Sequence, residues 1–225
     1  MLERISRFFI MSRKLPPWMT NQAMCLTSEV DYPKIVLPKS CDVVYSHQIQ
    51  DCALLCQEIR DSVKKSRILS LDAEWPVNFN SGSTPKIAVL QLCTTLDRAY
   101  VFHISQMGCV PDELKALLES PDFLKMGLNV KGDLWKLHRD FDNMSAKVVE
   151  HFVDLSKFAQ TALNTSENWS LARLCRHVLH KDLPKDAFVR QSEWDRFPLT
   201  ETQIQYAALD VYASLKIFME LKSKV

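Results

Sequence analysis

The rhythm of hydrophobic and polar positions changes at about residue 40. Upstream, Pro16, Pro17, Pro33 and Pro38 interrupt the chain and no period lasts, which predicts a disordered tail over 1–40. Downstream, over 41–225, the periods of an α/β domain follow one another. Asp42 to Ser46 reads as a short strand. Leu54, Leu55, Ile59 and Val63 recur at helical intervals and predict a helix over Asp51–Val63. Strands are expected over Ile68–Trp75, Ile87–Leu92 and Ala99–Ile104. Gly82 and Pro85 precede the second and Asp97-Arg98 the third, which suggests an antiparallel meander.

Helices are expected over Pro111–Leu118, Gly132–Phe141, Leu155–Leu163 and Ser170–His180, with short strands over Met126–Asn129 and Phe152–Leu155. In the helix after Ser170, Leu171, Leu174, Cys175, Val178 and Leu179 form one apolar face behind a good N-cap. Thr200 and Gln203 form a capping-box signature for a last helix reaching about Lys222, with Ile204, Ala208, Val211, Leu215 and Phe218 as its core stripe. Strands first and strand–helix alternation afterwards predict a mixed sheet flanked by helices.

Composition narrows this little. The chain has 225 residues, a formal net charge of +1 and 47% hydrophobic residues, which excludes a charged disordered class. It does not exclude nucleic acid, since basic patches around an acidic site cancel in the total. The seven cysteines are scattered without a C-x-x-C pair, so reduced thiols are expected rather than disulfides or zinc. No apolar run reaches the ~20 residues that a membrane helix needs.

Three polar features stand out. In ILSLDAEW, Ser70, Asp72 and Glu74 share one strand face, opposite Leu69, Leu71, Ala73 and Trp75. Two carboxylates so close repel unless a cation compensates, and a divalent metal does so naturally. In the last helix, Tyr206 and Asp210 stand one turn apart on a face offset from the apolar stripe. In GDLWKLHRDF, Asp133 follows Gly132 at an expected helix start, where a capping or helix-dipole role would explain it as well as metal binding. Trp135, Lys136, His138 and Arg139 follow it, an aromatic among bases that could stack on and clamp a nucleotide strand. His177 and His180 lack a third ligand nearby and read as a surface pair. Trp169 and Trp194 read as packing residues.

Taken together and in order, D-x-E on a strand, G-D at a helix start and Y-x-x-x-D on a late helix resemble the DEDD exonuclease superfamily. Tyr206, four residues before Asp210, marks the tyrosine branch; the histidine branch would have its His at the position of Gln205. LDAEWP, IAVLQLC, AYVFHIS, KGDLWKLHRDF, ENWSLARLCRHVL and FPLTETQIQYAALDVYA are similar to the exonuclease domain of Werner-type proteins, from about Val43 onward. The resemblance implies a ribonuclease H-like (DnaQ-like) fold and 3′→5′ hydrolysis of DNA to 5′-nucleoside monophosphates, in repair or replication-fork processing. It implies two Mg²⁺ ions, with Mn²⁺ as a substitute. Asp72 would bridge them, Glu74 and Asp210 would hold one, Asp133 would support the other, and Tyr206 would orient or deprotonate the attacking water. Trp75 and Trp135 would contact the terminal base or sugar, and Lys185 and Arg190 the backbone phosphate. The chain would be an isolated domain or a stand-alone exonuclease, with any helicase a separate partner. An RNA exonuclease and a non-catalytic module bridging Ku to DNA are the alternatives.

The tail carries two further signals. RKLPPWM, with Arg13, Lys14, Pro16, Trp18 and Met19, resembles the Ku-binding peptide motif, an aromatic anchor on a proline-stiffened segment. A nuclear protein is expected; the alternative is a mitochondrial one, since MLERISRFFIMSRKL places Ile5, Phe8 and Phe9 at helical spacing among Arg4 and Arg7 in the manner of a transit peptide, with Met11 a possible second start.

Overall fold

The computed structural model describes residues 31–63, 67–77, 85–184 and 186–224. The expected peptide motif and transit-like start lie outside these residues. The expected tail ends earlier than residue 40. Ile35 is buried, its N–H donates to the Asp182 carbonyl at 2.9 Å, and the Asp182 N–H donates to the Pro33 carbonyl at 3.1 Å. A single buried Ile with backbone partners orders a stretch whose prolines hide any period.

Six strands form one sheet: β1 (Asp42–Ser46), β2 (Ile68–Glu74), β3 (Val89–Thr95), β4 (Arg98–Phe102), β5 (Leu124–Gly127) and β6 (Phe152–Asp154). Their order is β1-β4-β3-β2-β5-β6. The expected meander is present, with β3 antiparallel to β2 and to β4. β1, β5 and β6 pair in parallel with β4, β2 and β5.

Helices cover both faces. On one side lie α1 (Asp51–Ser62), α3 (Asp112–Leu118) and α4 (Val130–Asp140), packed on Leu69, Leu71, Leu90, Leu92, Tyr100 and Phe102. On the other lie α5 (Leu155–Ala162), α6 (Leu171–Leu174) and α8 (Glu201–Lys222), packed on Val89, Cys93, Ala99, Val101 and Met126. Two short α-helices, α2 (Ile104–Met107) and α7 (Ala187–Arg190), and a 3-10 turn over Ala146–Val149 are also described. Alternation along each strand therefore feeds two cores at once.

Several expected boundaries move. Ile104 begins α2 rather than ending β4, and Ile87 precedes β3. The α1 face is Cys52, Leu55, Cys56 and Ile59, while Leu54 is exposed, because the buried stripe runs at i, i+3, i+4 from Cys52. The Ser170 cap holds, its hydroxyl accepting from the Arg173 N–H, but the helix passes into a π-turn over Cys175–Leu179. The capping box at Thr200 and Gln203 is formed on both sides.

Gly127 has a steric role. A Cβ there would stand 2.3 Å from the Leu71 carbonyl oxygen, so only glycine lets β5 approach β2 this closely. Buried Lys136 donates to the Pro85 carbonyl at 2.6 Å and pairs with Asp140 at 2.9 Å, and Asp140 accepts the Ile87 N–H at 2.8 Å. These contacts fix the entry to β3. No helix among the described residues is long and apolar enough to cross a membrane.

Candidate active site and metal centre

The site forms where the second face of β2 meets α8. Ser70, Asp72 and Glu74 project beneath the helix, and the Ser70 hydroxyl donates to the Val211 carbonyl at 2.9 Å. That bond sets Asp210 over the strand. Ala207 and Ala208 on the buried side of α8 let it lie close to the sheet. One carboxylate oxygen from each of Asp72, Glu74 and Asp210 lies within 4.8 Å of the other two.

Electrostatics follow from this crowding. Burial raises the Asp72 carboxyl to about 6, against the Ala73 N–H and the Arg190 charge, which favour ionisation. Burial, then Asp72 and Asp210, push Glu74 well above the carboxylate range. Burial and Asp72 raise Asp210 to about 8, opposed by the Tyr206 hydroxyl and Arg190. Burial and three carboxylates also push the Tyr206 phenol up. The cluster is thus an unpaid debt of negative charge that a cation would settle.

Asp133 is 7% exposed and lies in the first turn of α4, which begins at Val130. Asn129, in the left-handed region at φ 54°, holds the cap position, so capping does not explain Asp133. Burial, Asp72 and Asp154 raise its carboxyl to about 8. It is electrostatically coupled to Asp72 and to Asp154 of β6, outside the trio of close oxygens.

The remaining expected residues divide. Exposed Arg190, on α7, acts on Asp72, Glu74, Asp210 and Tyr206 together. Trp135, two residues beyond Asp133, is 39% exposed and meets His138 edge-on at 5.7 Å between ring centroids. Trp75 is not brought to the cluster. Strand alternation turns it to the opposite face, where it packs on the first core with the Lys136 ammonium 5.0 Å from its ring centre. Lys185 lies outside the described residues. The six described cysteines are free, and burial raises the thiols of Cys52, Cys56 and Cys175 to about 11, 12 and 12.

Support for Arg190 is less visible in the sequence. Trp194 is wholly buried, its indole N–H donates to the Arg190 carbonyl at 3.1 Å, and its ring lies 6.0 Å from that of Tyr206. The Gln203 amide, besides completing the capping box, donates to Ser192 Oγ at 2.9 Å and the Glu193 carbonyl at 3.1 Å. Asp154, at the end of β6, caps α5 by accepting from the Ser156 and Lys157 N–H groups, and was signalled only by that cap pattern.

Residues 46–225 match the 3′-5′ exonuclease family. The chain is 40% identical over 222 residues to the bifunctional 3′-5′ exonuclease/ATP-dependent helicase WRN of Mus musculus, covering 94% of this chain and 15% of that protein. It is 34% identical over 188 residues to a 3′-5′ exonuclease of Drosophila grimshawi, covering 81% of this chain and 56% of the relative. The chain thus spans little of the first relative and about half of the second. The fold is that of Escherichia coli RNase D, an exoribonuclease, at a TM-score of 0.66 and 22% identity over 81% of this chain and 45% of that one. The sheet is therefore of the DnaQ-like, ribonuclease H type, and the chain belongs to the 3′-5′ exonuclease family.

Proposed function

We propose that this chain is a DNA exonuclease working with two divalent cations, Mg²⁺ or Mn²⁺ in its place, held by Asp72, Glu74, Asp133 and Asp210. The observation that carries the reading is the trio of carboxylates within 4.8 Å, with Asp133 electrostatically coupled to it and the Arg190 guanidinium acting on it. Oxygen-only donors of this kind suit hard cations. When bound, the cations would polarise the phosphoryl group and favour ionisation of water.

Within that frame each residue has a task. Asp72, Glu74 and Asp210 would hold the cations between them, with Asp133 in support. Water attacks the phosphorus of the 3′-terminal phosphodiester. The bond from phosphorus to the penultimate nucleotide's 3′ oxygen breaks, and that oxygen takes up a proton. The products are a 5′-nucleoside monophosphate and a shortened 3′ end. Tyr206, one helical turn from Asp210, would orient or deprotonate the attacking water. Arg190 faces the cluster from outside and would bind a phosphate oxygen, which positions a strand without reading its sequence. Trp135 would stack on the terminal base.

The choice of DNA is supported by the Werner-type sequence blocks, and the test includes RNA. A recessed-3′ duplex and a matched RNA, labelled for detection, are incubated with Mg²⁺ or Mn²⁺. A ladder shortening from the DNA 3′ end is expected, and Asp72→Ala and Glu74→Ala should abolish it while leaving the fold intact. No ladder with either metal sinks the reading, and faster RNA degradation replaces DNA by RNA.

A further inference from the structure

Gln91 sits in the middle of β3, at 0% exposure, and neither its Oε1 nor its Nε2 has a hydrogen-bond partner among the described residues. Buried amides are nearly always paired, so an orphan in the centre of a sheet calls for a physical reason. Its position supplies one. In the β2–β3 register Gln91 stands directly across from Asp72. Directly opposed residues point to the same face, with Cβ atoms about 4.5–5.5 Å apart. Amide and carboxyl therefore rise side by side beneath α8.

Glu74 stands one diagonal further along β2, across from Val89, and the rest of that face around Gln91 is apolar. Val89 and Cys93 flank it on β3, Val101 stands opposite on β4, and Ala207, Ala208 and Val211 belong to the same core. Ser70 is committed to the Val211 carbonyl. The polar group directly opposite the amide is the Asp72 carboxyl, nearer than the diagonal Glu74, and a carboxylate offers about four acceptor sites.

We infer that Gln91 is a positioning residue of the carboxylate centre. In the metal-bound state its amide donates to an Asp72 carboxylate oxygen and fixes the carboxylate's orientation for metal binding. Gln91 touches neither substrate nor water; it acts through Asp72. This rests on the metal reading above. Groups that hold ligating side chains in place commonly matter 10–100-fold to metal affinity or activity.

The test replaces Gln91 by Leu, of similar size and without polar atoms, and by Met as a second, more adaptable variant. Thermal unfolding of the metal-free proteins is measured beside Mn²⁺ titration by calorimetry without nucleic acid. The metal-free midpoint of Gln91→Leu should equal or exceed that of the wild type, because an unpaired buried amide is removed, while its Mn²⁺ Kd rises about 10–100-fold. Gln91→Met should behave alike. A wild-type Kd in either folded variant overturns the inference, as does a metal-free midpoint several degrees lower in both, which would mark a purely structural role. Asp72→Ala is the reference: if it keeps wild-type Mn²⁺ binding, the metal reading itself fails, independently of Gln91.

Discussion

The Ser70 hydroxyl donates to the Val211 carbonyl at 2.9 Å, tying β2 to α8 one residue from Asp210 and two from Asp72. Strand and helix thus deliver their carboxylates through one shared, buried fastening. Ser70→Ala should lose about 1 kcal/mol of stability, or roughly 2–4 °C in Tm. Its metal affinity should fall as well, because α8 loses its register over the strand. Calorimetry with and without Mg²⁺ checks both, and a variant losing neither removes the fastening from the account.

Gly127→Ala tests the close approach of β5 to β2. The added methyl would meet the Leu71 carbonyl at 2.3 Å, so a strand must shift. A cost of about 1–3 kcal/mol is expected, as for other overpacked sites. Since Leu71 adjoins Asp72, kcat should fall by more than the folded fraction does. Urea unfolding and single-turnover hydrolysis measured on one preparation separate the two effects.

Stability should depend on pH through the cluster. Asp72 lies near 6 and Asp133 and Asp210 near 8 in the folded protein, all above the ordinary value of about 4. Between those limits the folded state binds more protons than the unfolded state, so the cluster's contribution is present below about pH 4 and is lost as pH rises toward 8. The metal-free Tm should fall over this range more steeply in the wild type than in Asp210→Asn. Mg²⁺ should flatten the slope, since it binds the ionised carboxylates and releases their protons. Parallel curves for wild type and Asp210→Asn in a chelator would count against the electrostatic account.

Trp194→Phe keeps a ring beside Tyr206 and removes the N–H that holds the Arg190 carbonyl. A stability loss of about 1 kcal/mol is expected. KM should rise while kcat changes little, because Arg190 would bind substrate and transition state alike. Arg190→Ala should show the same pattern more strongly. Steady-state kinetics in which only kcat falls would instead place Arg190 in the chemical step.

Much of the site was legible because periodicity alone places it. Asp72 and Glu74 alternate onto one face, and Tyr206 and Asp210 share one turn. Asp133 was ambiguous in the sequence; Asn129 rather than Asp133 holds the cap position of α4, while a helix-dipole role in its first turn stands beside the metal reading. Trp75, which the same alternation already turned away from Asp72 and Glu74, packs on the first core beside Lys136. α7 escaped notice because four residues carry no period, although Asp186 caps it. The parallel docking of β1 beside β4 joins residues more than fifty positions apart, and no local pattern records that. Gln91 left a trace, a lone polar residue inside an apolar strand, whose meaning depends on which residue faces it across the sheet.

The strand order has a consequence for where chemistry can arise. From β2 the chain turns to β3 on one side, and later returns to β5 on the other. At such a divide, flanking connections leave in opposite directions and a crevice opens at the carboxyl end of the strand. Asp72 and Glu74 occupy that end of β2, while Asp133 follows β5 and Asp154 ends β6. The surrounding loops can therefore change length or composition, and with them the nucleic-acid ends admitted, while the sheet holds the acids in place.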